Sequence, residues 1–102
     1  MRARHLGNVA RDLGPGGYEI MSATPGLELG VYRLVAPEPD RQQPHADDEL
    51  YVVLAGSGTL EVDGERLDAR QGDALFVAAE VPHRFVDYDD ITLLVVFARP
   101  RT

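Results

Sequence analysis

The chain has 102 residues, 44% hydrophobic and 26% charged, which suits one soluble domain with a modest core spanning residues 1–102. Its 17 acidic and 10 basic residues give a formal charge of -7, so a phosphate backbone is repelled and no nucleic-acid partner is expected. No apolar run nears the roughly 18 residues of a membrane helix, so no membrane partner is expected, and the absence of cysteine removes disulfides and thiolate chemistry.

The start, MRARHLGNVARDLG, is basic but has no apolar h-region, so it does not read as a secretory signal. Small secreted domains often carry disulfides, and their absence makes the cytoplasm the expected compartment. Leu6, Val9, Ala10 and Leu13 fall at helical spacing until Gly14-Pro15-Gly16-Gly17 stops the run. Residues 1–16 are therefore expected to form a short helical or irregular segment, and residues 17–98 a β-barrel.

From there the chain reads as strands: YEIMSA (18–23), LELGVYRLV (27–35), ELYVVLA (49–55), GTLEVD (58–63), DALFVAA (73–79), HRFVDY (83–88) and ITLLVVFA (91–98). They are rich in Val, Leu, Tyr and Phe and bounded by Pro, Gly and Asp. Asp63-Gly64 signals a type I′ hairpin, with a return strand over residues 65–69. The stretch 36–40, rich in proline, reads as a loop. Many short strands with turns every 8–12 residues indicate an all-β barrel or sandwich. Ile91, Leu93, Val95 and Phe97 share one side of their strand, while Leu94, Val96 and Ala98 share the other. Strands apolar on both faces predict a covered outer face, and a homodimer is the expected assembly.

Two of the three histidines lie in informative places. His45 precedes Glu49 by four residues in QQPHADDELYVV, and His83 follows a turn in VPHRF. Gln43 shares a face with His45 if that stretch is extended. Glu49 has the parity of Tyr51 and Val53. Two imidazoles and one carboxylate form the ligand set of the facial triad that holds non-haem Fe(II), although zinc, nickel, manganese or cobalt accept similar donors. Asp47 and Asp48 read as a solvated turn. Tyr32, Tyr51, Phe76 and Phe85 read as core or cavity lining, and Arg33 and Arg84 as exposed. No phosphate-cradling glycine loop and no serine nucleophile signature stands out.

These residues resemble the cupin superfamily. Its first motif runs G-x5-H-x-H-x3-4-E-x6-G, and His45, Glu49 and Gly56 match its latter part. Its second motif is matched by Gly72 and, after ten intervening residues, His83, within GDALFVAAEVPHRF. The chain departs from the pattern where Gln43 stands for the first histidine and Pro37 for the leading glycine. It departs again at Ala78, Glu80 and Asp87 in the second motif. The resemblance covers roughly residues 27–98. It implies a small single-domain cupin, a double-stranded β-helix (jelly-roll) barrel. It also implies one divalent transition metal, Fe(II) first among the candidates, held by His45, Glu49, His83 and Gln43. Glu49 and Tyr51 are the expected catalytic groups. The implied activity is a metal-dependent oxidoreductase of dioxygenase type acting on a small organic molecule. The alternatives are a metal-dependent isomerase or decarboxylase and a non-catalytic small-ligand-binding barrel.

Overall fold

The computed structural model describes residues 17–98. The helical expectation over residues 4–13 lies outside the described residues. The described chain is all-β, with eight strands: β1 (Tyr18–Ala23), β2 (Leu27–Val35), β3 (Asp48–Ala55), β4 (Ser57–Val62), β5 (Glu65–Arg70), β6 (Ala74–Val77), β7 (His83–Val86) and β8 (Asp90–Ala98). They form a five-stranded sheet in the order β1-β2-β8-β3-β6 and a three-stranded sheet in the order β5-β4-β7. Every pairing is antiparallel.

Alternation decides which side chains meet between the sheets. On β8, Ile91, Leu93, Val95 and Phe97 are buried, as their shared parity predicts. On β3 the inward set is Glu49, Tyr51 and Val53. The three-stranded sheet contributes Leu60, Ala69 and Phe85. Each large apolar side chain in this set stabilises the fold by about 1.5–3 kcal/mol through burial. On the outer face of the five-stranded sheet, Leu50 and Phe76 lie opposite one another and stay exposed, as does Leu27. That apolar outer side is the feature that raised the expectation of a second subunit.

The β4–β5 hairpin forms as Asp63-Gly64 predicts: both residues have positive φ, and Val62 pairs with Glu65. Two strands are shorter than their apolar runs. The run over 73–79 ends at Val77, because the chain turns through 78–80 with Glu80 left-handed (φ 69°). The run over 83–88 ends at Val86, because Asp87 is left-handed too (φ 55°).

Gly56, between β3 and β4, has φ 79° and lies against the backbone of β8. A Cβ there would stand 2.0 Å from the Asp90 carbonyl oxygen. Gly56→Ala is therefore expected to cost roughly 2–5 kcal/mol, from backbone strain plus overpacking. Its urea midpoint measures this; an unchanged midpoint would show that the contact yields. Among the described residues, no helix is long and apolar enough to cross a membrane.

Candidate functional site

The site lies between the sheets at one end of the barrel. Register places Glu28, Phe97 and Glu49 side by side on β2, β8 and β3, all facing inward. The next inward row holds Gly30, Val95 and Tyr51. His83 opens β7 on the facing sheet, opposite Val62 of β4. His45 belongs to the loop before β3. Its carbonyl accepts the Glu80 N–H at 2.7 Å, which ties that loop to the turn before β7. A cavity of about 420 Å3 opens over this floor, lined among others by Tyr18, Glu28, Tyr32, Gln42, His45, Asp47, Glu49 and Phe97.

Glu49 and His83 are both buried and in contact, with His83 Nε2 2.9 Å from Glu49 Oε1. His83 Nδ1 lies 2.8 Å from the Val81 carbonyl oxygen. A carbonyl only accepts, so Nδ1 carries a proton. In a neutral ring, Nε2 is then a bare lone pair. Nε2 faces the Tyr51 hydroxyl at 3.0 Å as well as the carboxylate. That hydroxyl donates its one proton to Gln42 Oε1 at 2.7 Å. Gln42 is held in this orientation because its amide nitrogen donates to Asp40 Oδ2 at 2.6 Å. Three acceptor atoms therefore meet at one point, and one positive charge must lie among them.

In the bare protein, a proton on His83 Nε2 serves. Burial alone pulls the His83 pKa down, but Glu49, the Val81 carbonyl and the Asp40 charge outweigh it and hold it above the ordinary imidazole value. Even so, Glu49 Oε1 is fully buried and has no partner beyond its 2.9 Å contact with His83 Nε2. A buried carboxylate oxygen left this way costs several kcal/mol, and its chemistry fits a cation. Burial, then the Glu49 charge, push the Tyr51 phenol far above its ordinary pKa, so it stays protonated.

The structure brings Glu49 and His83 together and sets His45 one step away. The two imidazole centroids are 6.2 Å apart, and the His45 ring packs on the edge of Phe97 at 4.8 Å. Two imidazoles sharing an ion at about 2.1 Å have centroids about 4.5–6.5 Å apart. Among the described residues, however, no group of three His, Cys, Asp or Glu closes to metal-holding geometry. Glu49, His83 and His45 are the residues that could hold an ion, with His45 standing outside bonding arrangement.

Gln43 is exposed and does not line the cavity, and its neighbour Gln42 turns inward instead. Asp40 causes this, because the Gln42 backbone N–H and side-chain amide both bind its carboxylate, so the stretch is not extended. Tyr51 lies fully buried behind Glu49 and His83, where it positions them without reaching the cavity. Asp48 is more than a solvated turn: it accepts the Ala79 N–H at 2.9 Å. Asp47 lines the cavity. Arg33 and Arg84 pair with Asp90 and Glu61.

Asp40 is the functional residue that sequence reasoning missed. Its buried carboxylate accepts from the Tyr32 hydroxyl (3.0 Å), the Gln42 N–H (3.1 Å), the Gln42 amide (2.6 Å) and the Phe85 N–H (2.8 Å). No local signal in the loop around Pro39 marks it. Burial and Asp40 together raise the Tyr32 phenol well above its ordinary pKa. Glu28 was legible, since it shares the inward parity of Tyr32 and Leu34 on β2.

Comparison with known proteins agrees with this architecture. The family model described as "Cupin domain" matches residues 33–97. The chain is 36% identical over 77 residues to an uncharacterised protein of Streptomyces coelicolor, covering 74% of this chain and 73% of the relative. It resembles the DMSP lyase DddQ of Ruegeria pomeroyi in fold, with TM-score 0.75 and 21% identity, over 81% of this chain and 46% of that one. It also resembles the salicylate 1,2-dioxygenase of Pseudoaminobacter salicylatoxidans, with TM-score 0.67 and 22% identity, over 72% of this chain and 20% of that one. With its matched residues lying across both sheets and the site between them, this chain belongs to the cupin family.

Proposed function

We propose that this cupin is a metal-dependent enzyme acting on a small organic molecule, with one divalent transition metal held by Glu49, His83 and His45. The observation that carries this reading is the meeting of Glu49 Oε1, His83 Nε2 and the Tyr51 hydroxyl around one point, where a metal ion can take the place of the His83 proton. A divalent ion supplies Lewis acidity there and, if it is iron, redox capacity. The chain's own residues do the rest. The Val81 carbonyl fixes the His83 tautomer, as second-shell acceptors do for metal-binding imidazoles. Gln42, held by Asp40, accepts the Tyr51 hydroxyl's hydrogen bond, so the still-protonated phenol presents its lone pairs to the centre. Phe97 and Val95 give the cavity an apolar wall beside Glu49.

Fe(II) and dioxygenase-type chemistry lead, as the family resemblance implies. A second reading, proton transfer in an isomerase or lyase reaction, is favoured by the direct Tyr51–His83 contact. Protein purified without added metal is expected to hold close to one equivalent of a transition metal by elemental analysis. Trace occupancy that excess Fe(II), Co(II) or Zn(II) does not raise would overturn the metal reading. Oxygen uptake by the Fe(II)-loaded protein with small organic substrates supports dioxygenation. Turnover without oxygen uptake supports proton transfer instead.

A further inference from the structure

We propose that the outer face of the five-stranded sheet is covered by a second copy of this chain, in a two-fold, face-to-face contact through Leu50, Phe76 and Val96. On β3, Glu49 turns inward and Leu50 outward, so this contact lies on the far side of the sheet from the cavity. It is independent of what the cavity binds.

Pattern carries the first part. Register sets Phe76, Leu50, Val96 and Leu29 in one outward row across β6, β3, β8 and β2. The next outward row is Ala74, Val52, Leu94 and Val31. Neither row holds a polar or charged side chain, in a chain that is 26% charged. Phe76 is 61% exposed, and Leu50 and Leu27 are exposed as well. The outer face of the three-stranded sheet is built the opposite way. There Glu61 lies between Arg66 and Arg84, and Asp68 and Arg70 follow along β5. Water solvates that face and finds no such groups on the other. The contrast extends to the sheet edges among the described residues. β5 carries charge at its edge, as edge strands commonly do, whereas β6 turns Ala74 and Phe76 outward. A contiguous exposed apolar patch of this kind marks a surface that meets another protein surface.

Area and charge identify the occupant. Five strands about 4.8 Å apart and a nine-residue β8 rising about 3.4 Å per residue make a face of roughly 24 by 30 Å, about 700 Å2. A stable pair buries about 800 Å2 on each partner, which one such face against its copy approaches. Two sheets stack in this way about 10 Å apart, with their side chains interdigitating. Each copy carries a formal charge of -7, so approach through an acidic surface is opposed. An uncharged face lets two such copies meet without that penalty. A basic partner would find no carboxylate in either row to hold, and an anionic lipid surface no basic group. A two-fold contact also closes on itself, so the apolar side chains of β6 are buried without open-ended growth.

Sedimentation equilibrium of the full chain tests this. At about 10 µM, a mass twice that of the chain is expected. Phe76→Asp puts like charges into an apolar contact and is expected to raise the dimer dissociation constant at least about a hundredfold, leaving a monomer. Its 15N spectrum is expected to show the fold intact, since Phe76 is exposed in the single chain. Should Phe76→Asp fail to fold, Leu27→Asp decides in its place, with an expected weakening of about tenfold or more. Arg70→Asp, on the outer face of the other sheet, is expected to leave the mass at two chains. A wild type that stays monomeric at about 100 µM overturns the proposal. A dimer indifferent to the deciding variant, or one that Arg70→Asp dissociates, places the contact elsewhere and overturns it too. A monomer in which nuclear Overhauser contacts set residues 1–16 against Leu50 or Phe76 names that segment as the cover and overturns the second copy.

Discussion

Asp40→Ala is expected to destabilise the protein by about 3–5 kcal/mol, the largest effect of any single substitution away from the core. The carboxylate is buried and accepts four hydrogen bonds, one of them from the Phe85 backbone N–H on β7. Truncation leaves those donors facing one another without water. Each unsatisfied buried donor costs about 1–3 kcal/mol, though relaxation of the loop re-solvates some of them. Against a typical total stability of about 5–15 kcal/mol, the loss is severe. The urea midpoint of the metal-free protein measures it. Asp40→Asn retains one acceptor oxygen and is expected to fall between wild type and alanine. A second readout separates support of the site from bulk stability. With Asp40 gone, Gln42 is free to rotate, and the Tyr51 proton is no longer drawn away from the centre. Metal affinity should therefore fall further than loss of stability alone explains. A drop of less than about 1 kcal/mol would show that the loop is held by other contacts.

Glu49→Gln is expected to lower divalent metal affinity at least about a hundredfold, since loss of even an outer-shell partner commonly costs ten- to a hundredfold. The same change alters the pH response of the metal-free protein. The His83 pKa is raised in the fold above its ordinary value of about 6.5. Its contribution to stability is therefore fully present below that ordinary value and is lost as pH rises through the folded value. Metal-free wild type is expected to lose stability across that alkaline window. Glu49→Gln removes the carboxylate that attracts the proton, so its loss there should be smaller. Metal reverses the dependence, because the ion competes with the same proton. Affinity for Zn(II) should rise up to tenfold per pH unit until His83 is deprotonated, then level off. A flat affinity between pH 6 and 8.5 would remove His83 from the ligand set.

Strand positions were largely legible because alternation and turn residues act locally. β1 and β2 match their apolar runs residue for residue, and Asp63-Gly64 forms the turn its chemistry requires. Glu49 was legible for the same reason: its parity with Tyr51 and Val53 carries it inward whatever the distant chain does. Residues in the loop between β2 and β3 were not. Parity assigns Gln43 to the side of His45 only if the stretch is extended, and Asp40 bends it by capturing both amides of Gln42. That capture depends on a β7 backbone donor 45 residues away in sequence, which no local pattern encodes. The cavity wall was hidden for a related reason. Glu28, Tyr18 and Asp47 come together only through pairing across β1, β2 and β8 and the path of the loop before β3.

Tyr18 hangs from β1, an edge strand of its sheet among the described residues, paired to β2. Glu49 and His83 sit on β3 and β7 and are wedged between the two layers. The buried Glu49–His83 pair and the Tyr18 ring thus occupy mechanically separate parts of one small barrel. Substitutions on the edge strand can therefore reshape the cavity mouth without disturbing the buried pair beneath, which gives a scaffold of this size room to diversify.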